Sequence, residues 1–170
     1  THFPGSRAHL RLRVLDALYA EGDTAAAASA VDSLAAFADA PLSHDPQARA
    51  LQLSDVCVVE QWRLSRSATA STRRAINELR SAPLPRQAIP ISTNQRACAT
   101  ILEAMLADAT HSPDAPARVA ALDSLMLSGP AMSDASSYAN IIVGRSYAQL
   151  GNPRAALVAY RRRSYMTSWL

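Results

Sequence analysis

The chain contains no lysine: all 17 basic residues are arginine, set against 14 acidic ones. GC-rich coding produces that bias without any selection for function. The net charge of +3 is spread along the chain, whereas nucleic-acid binders gather their arginines on one face. The one dense run, Arg161-Arg162-Arg163, falls at a predicted helix C-terminus, where cations meet the negative end of the helix dipole. No nucleic-acid partner is expected. Aromatic residues make up only 5% and there are five glycines, so the core has to come from alanine, leucine and valine. No apolar run approaches the ~20 residues that span a bilayer, which excludes a transmembrane segment from the expectation. There is no initiating methionine and no signal-peptide pattern; the chain reads as a fragment or processed piece of a longer one. Nothing in it separates a cytoplasmic from an extracytoplasmic location.

Chemistry-bearing patterns are equally scarce. The histidines at positions 2, 9, 44 and 111 are scattered, and none has a second His or Cys at the helical spacing a zinc site needs. His44 and His111 fall in loops beside helix starts and are expected to be solvated. There is neither a glycine-rich phosphate loop nor a Gly-x-Ser-x-Gly elbow. Glu60 and Glu103 fall on comparable helices, but two salt-bridged or solvated carboxylates are commoner than an acid–base pair. The two cysteines, Cys57 and Cys98, make no metal motif; two small buried hydrophobes on neighbouring helices are expected. No catalytic residue, cofactor or metal ligand is assigned.

What the chain does carry is helix. Runs such as Ala25-Ala26-Ala27-Ala28 favour it, and the β-branched cluster Val56-Cys57-Val58-Val59 lies inside a longer helical pattern. Four helix pairs are expected, over about 6–39, 45–81, 92–127 and 133–165, in an all-α fold without sheet. In the first pair, Leu10, Val14, Leu15 and Leu18 keep helical spacing, and Gly22-Asp23 ends one helix and caps the next. Asp45-Pro46 opens the second pair, whose two helices are joined by a polar connection over 65–71. Residues 82–91, with Pro83, Pro85 and Pro90, read as an extended loop. Ser92-x-x-Gln95 is a capping box that opens the third pair.

The most regular stretch runs from Tyr138 to Tyr160. Gly151 suits the left-handed position that ends a helix, Asn152 is a good N-cap, and Pro153 fits the first helical position. Small Gly144 and Ala156 alternate with large Tyr147 and Tyr160, which lets two helices approach closely. Leu18, Gly22, Ala27 and Val31 repeat the pattern at one constant offset from Tyr147, Gly151, Ala156 and Tyr160. Small-x3-large anchors begin at Ala27, Ala75, Ala121 and Ala156.

Val143-Gly144-x2-Tyr147 followed by Ala156-x3-Tyr160 resembles the tetratricopeptide repeat, a helix-turn-helix unit of about 34 residues. Asn140 stands where that repeat has Trp, and Ser168 where it has Pro, so the repeats are degenerate. The resemblance implies a right-handed α-solenoid of about four hairpins, with contacts within a pair or between successive pairs. It implies a non-catalytic scaffold that holds a protein or peptide partner, as do helical-repeat regions of larger bacterial regulatory proteins. On the concave face it would place His9, Asp16 and Tyr19, then Tyr138, Arg145 and Gln149, with Glu60, Arg63 and Glu103 in the middle pairs. The mixture of signs suits a polar peptide or protein surface. Beyond the fourth pair the tail carries Tyr165, Met166, Trp169 and Leu170, so Trp169 is expected under a further helix or a partner. The alternatives are a structural accessory subunit of a larger assembly, including one docked at a membrane, and part of an all-helical enzyme.

Overall fold

Several helices begin where the sequence supplies a cap. In the computed structural model, which describes residues 6–20, 22–82, 89–128 and 138–162, Asp23 accepts hydrogen bonds from the N–H groups of Ala25 and Ala26 at 2.8 and 3.1 Å. Asp45 accepts from Ala48 N–H at 2.6 Å, and Asn152 from Ala155 N–H at 3.1 Å. Each side chain satisfies donors that a helix start leaves unpaired. The helices among the described residues are α1 (Arg7–Tyr19), α2 (Thr24–Ala38), α3 (Pro46–Leu64), α4 (Thr72–Ser81), α5 (Ile89–Ala109), α6 (Ala115–Ser128), α7 (Ala139–Gln149) and α8 (Pro153–Arg161). No strand occurs among those residues, and the fold is all-α.

The helices pack as four consecutive hairpins. Each second helix also lies on the next first helix, α2 on α3, α4 on α5 and α6 on α7, and the first helices α1, α3, α5 and α7 touch in that order. The centre is α3. Residues Leu53 and Asp55 to Trp62 are all buried, so this helix is covered on every side, as an element in the middle of a core must be. It joins two apolar clusters, one built around α1, α2 and α7 and one around α4 and α5.

Three first helices end in the same left-handed turn. Ala68 N–H reaches Arg63 O, Ser112 N–H reaches Ala107 O, and Asn152 N–H reaches Tyr147 O, at 2.8–2.9 Å. The residue before each donor has positive φ: Ser67 at 59°, His111 at 50° and Gly151 at 73°. This is the Schellman arrangement. Gly151 fills the position as expected; Ser67 and His111 do so without the glycine, each against a steric cost of about 1–2 kcal/mol. The expected polar connection over 65–71 therefore starts as a tight cap. The first hairpin turns differently: a Cβ on Gly22 would lie 2.6 Å from Ala17 N and 2.7 Å from Asp16 C. Backbone cannot swing aside as a side chain can, so Gly22→Ala is expected to cost about 1–3 kcal/mol. A Gly22→Ala variant with the wild-type melting temperature would show that the turn opens freely.

Several expectations need correction. Ala121, chosen as the third small anchor, is exposed, and Val119 and Leu122 carry the buried face of α6; in a helix rich in apolar residues the small-x3-large pattern fits more than one register. Helix α5 opens at Ile89, so Ser92 lies inside it instead of capping it, and Pro90 sits in its first turn, where no intrahelical N–H is lost. Residues 83–88 of the expected loop lie outside the described residues. Cys57 and Cys98 are buried as expected but are bonded to each other, joining α3 to α5 with 5.9 Å between their Cα atoms. Contacts are also not confined to neighbouring hairpins. Tyr138, beside α7, stacks on Tyr19 of α1 with ring centroids 5.4 Å apart, so large side chains bridge the first and fourth hairpins where an open stack would keep them apart.

Candidate functional site

The four first helices all finish at one end of the molecule, and a cleft of about 800 Å³ opens there. Leu18 and Tyr19 come from the end of α1, Leu64 from α3, Met105 and Asp108 from α5, and Arg145 and Gln149 from α7. Two of the left-handed turn residues, Ser67 and His111, stand on its rim. Residues in this sparsely populated conformation concentrate at functional sites.

Tyr19 anchors the wall. Its hydroxyl donates to Gln61 Oε1 at 2.8 Å and lies 3.6 Å from Met105 Sδ, while its ring stacks on Tyr138. Burial pushes the Tyr19 phenol well above its ordinary range, and the charge of Arg145 offsets part of that rise. Tyr138 in turn donates to Asp16 Oδ1 at 2.5 Å. Arg145 donates to Leu18 O at 3.0 Å, and its guanidinium carbon is 5.5 Å from the Tyr19 ring centroid. It thus caps a C-terminal carbonyl of α1 and adds a cation–π contact. On the opposite wall, the amide nitrogen of Gln149, turned toward Asp108, donates to its two carboxylate oxygens at 3.0 and 2.5 Å. Desolvation raises the Asp108 carboxyl above the usual range, and His111 lowers it by a smaller amount.

Of the residues expected on a binding face, Asp16, Tyr19, Tyr138, Arg145 and Gln149 are brought together at or beside this cleft. His9 sits on α1 away from it, 3.1 Å from Arg13 through its Nε2. Glu60, Arg63 and Glu103 turn toward the second helices. Glu60 is 2% exposed and accepts from Ser71 Oγ, Thr72 Oγ1 and Arg63 Nη1 at 2.7–2.8 Å. Arg63 reaches Asp39 through both Nη atoms at 2.9 and 2.7 Å, and that hydrogen bonding holds the Asp39 carboxyl below its usual range. Glu103 takes two bonds from Arg80 at 2.6 and 2.8 Å and one from Arg118 at 3.2 Å. These three side chains tie helices together. Trp169 lies outside the described residues.

Asp108, His111, Met105 and Leu64 were not assigned from the sequence. The shared signal that could have found them is their position in the last turns or the cap of a first helix, where the packing of the hairpins gathers side chains distant in sequence. No protein family, curated protein or solved structure matches this chain. Among the described residues no group of three or more His, Cys, Asp or Glu side chains is placed to hold a metal ion, and no helix is long and apolar enough to cross a membrane. The cleft offers an apolar floor with a hydrogen-bonding rim, an arrangement suited to holding a side chain or a short extended segment.

Proposed function

We propose that this chain is a non-catalytic protein-interaction module: a degenerate, right-handed tetratricopeptide-like solenoid of four hairpins, drawn closed by the α1–α7 contacts, that holds a segment of a partner protein in the cleft. One observation carries the reading: every hairpin contributes the end of its first helix to the same cleft. A surface assembled from all repeats is what a repeat array offers a ligand, since each unit adds one strip of side chains. The recurring left-handed cap at Ser67, His111 and Gly151 supports common descent of the hairpins from one repeated unit. The buried Cys57–Cys98 disulfide supports an oxidising, extracytoplasmic compartment, because cytosolic thiols are kept reduced.

The cleft gives the reading a direct test. Gln149 is exposed on the rim, so Gln149→Trp should fill the opening without disturbing the core. Random linear peptides displayed on phage and selected on the wild-type chain are expected to lose binding to Gln149→Trp. Selected peptides that bind both proteins equally would place the binding surface elsewhere.

A second reading, an accessory subunit docked by its end, is favoured by α8, where Leu157 and Val158 are half exposed. An obligate subunit copurifies stoichiometrically through high salt, and a transient adaptor does not.

A further inference from the structure

We infer that the cleft takes a basic side chain of a peptide, a lysine or arginine with apolar neighbours, whose charge pairs with Asp108. This rests on the reading of the cleft as a peptide groove and adds the chemistry of its occupant.

Asp108 is set apart by being partly buried without an arginine. The other described carboxylates that are not exposed, Asp55, Glu60, Glu78, Glu103 and Asp123, each hold an arginine within ion-pair distance. Among the described residues no arginine or histidine lies within 4.0 Å of the Asp108 carboxylate; its partner there is the neutral amide of Gln149. The charge of His111, beyond ion-pair distance, offsets only part of the desolvation that raises its carboxyl. The backbone adds to the same sign. Leu18, Leu64, Ala109 and Leu150 mark the C-terminal ends of α1, α3, α5 and α7 on the cleft, and each such end carries partial negative charge.

Arg145 is the arginine of the lining, and it is already directed at Leu18 O and the Tyr19 ring. It balances the end of α1 and leaves Asp108 without an arginine. Between these polar groups, Leu64, Met105 and Ile142 supply apolar surface. A lysine or arginine stem packs on such surface while its head reaches a carboxylate, and the flexible Met105 side chain adapts to the stem. An acidic segment would instead meet Asp108 and four negative helix ends, with Arg145 already engaged.

The test uses peptides selected by phage display on the wild-type chain with soluble Gln149→Trp as competitor, so that binders away from the cleft are removed. The retained sequences are expected to share a Lys or Arg flanked by apolar residues. One such peptide, and the same peptide with its basic residue replaced by Met, is then titrated by fluorescence anisotropy against wild type and Asp108→Asn. Either change is expected to weaken binding about tenfold, and the two together by little more than one alone, because they remove the same charge-assisted contact. The melting temperature of Asp108→Asn should not fall, since the substitution removes a desolvated charge; loss of binding then cannot be ascribed to unfolding. Cleft-dependent peptides without a basic residue, or undiminished binding to Asp108→Asn, would overturn this inference while leaving the peptide groove intact. Failure to recover any peptide that depends on the cleft would overturn both.

Discussion

An Asp55→Asn variant is expected to lose about 3 kcal/mol of stability, the low end of the range for removing one partner from a buried ion pair. Asp55 is fully buried on α3. It accepts from Arg11 Nη1 at 2.8 Å and from Arg7 Nε at 2.7 Å, both on α1. The amide keeps an accepting oxygen but removes the counter-charge. Arg7 can turn toward water, since its side chain is 30% exposed, and it also stacks over Phe37 at 4.4 Å. Arg11, at 11%, cannot. The loss therefore falls mainly on Arg11, which keeps the expected figure at the lower end. Denaturant unfolding of wild type, Asp55→Asn and the double variant Asp55→Leu/Arg11→Met measures this. The double variant should recover much of the loss, because apolar side chains of similar volume commonly replace a buried pair at little cost. By contrast, breaking the exposed Arg118–Asp114 pair at the start of α6 should leave stability nearly unchanged. Wild-type stability in Asp55→Asn would show that Arg11 finds another partner.

Asp55 also shows where sequence reasoning stops. The helices, and the starts of α2, α3 and α8, were legible because their causes are local: Asp23, Asp45 and Asn152 cap donors two or three residues away. Gly151 was legible for the same reason, since a left-handed turn after a helix selects glycine. Ser67 and His111 take that conformation against their steric preference, held by hydrogen bonds that only the folded turn supplies. Arg11 and Asp55 lie 44 residues apart, and no periodicity announces that two charged residues on apolar helices will find each other. Glu60 and Glu103 occupy matching places on first helices, yet the face they turn to the second helices depends on helix rotation, which a degenerate repeat pattern does not fix. Part of the cleft's lining was legible. The resemblance to a helical repeat names the aromatic and arginine residues of α1 and α7, while Asp108 belongs to a hairpin in which Ala121 does not take the buried place its spacing suggests.

Removing the Cys57–Cys98 disulfide is expected to cost about 4 kcal/mol, the chain-entropy value for a closed loop of this size. The cysteines are 41 residues apart and lie on α3 and α5, the two helices shared by both apolar clusters. A double Cys57→Ala/Cys98→Ala variant replaces two side chains that are 2% and 3% exposed. Packing changes little, and most of the loss comes from the unfolded chain regaining its freedom. Unfolding in denaturant with and without reductant gives the magnitude. Alkylation of the protein denatured without reductant should label neither cysteine; labelling of both would show that the bond does not form. The effect should also reach the cleft. Gln61 Nε2 donates to Cys57 Sγ at 3.4 Å, and Gln61 Oε1 accepts from the hydroxyl of Tyr19. The sulfur therefore helps hold the side chain that accepts the Tyr19 hydroxyl bond, and Tyr19 in turn carries the stack with Tyr138 that bridges α1 to α7. Hydrogen exchange at the ends of α1 and α7 should accelerate in the double variant more than at α8, which packs chiefly on α7. Uniform acceleration across all helices would assign the disulfide a purely global role, with no privileged hold on the cleft.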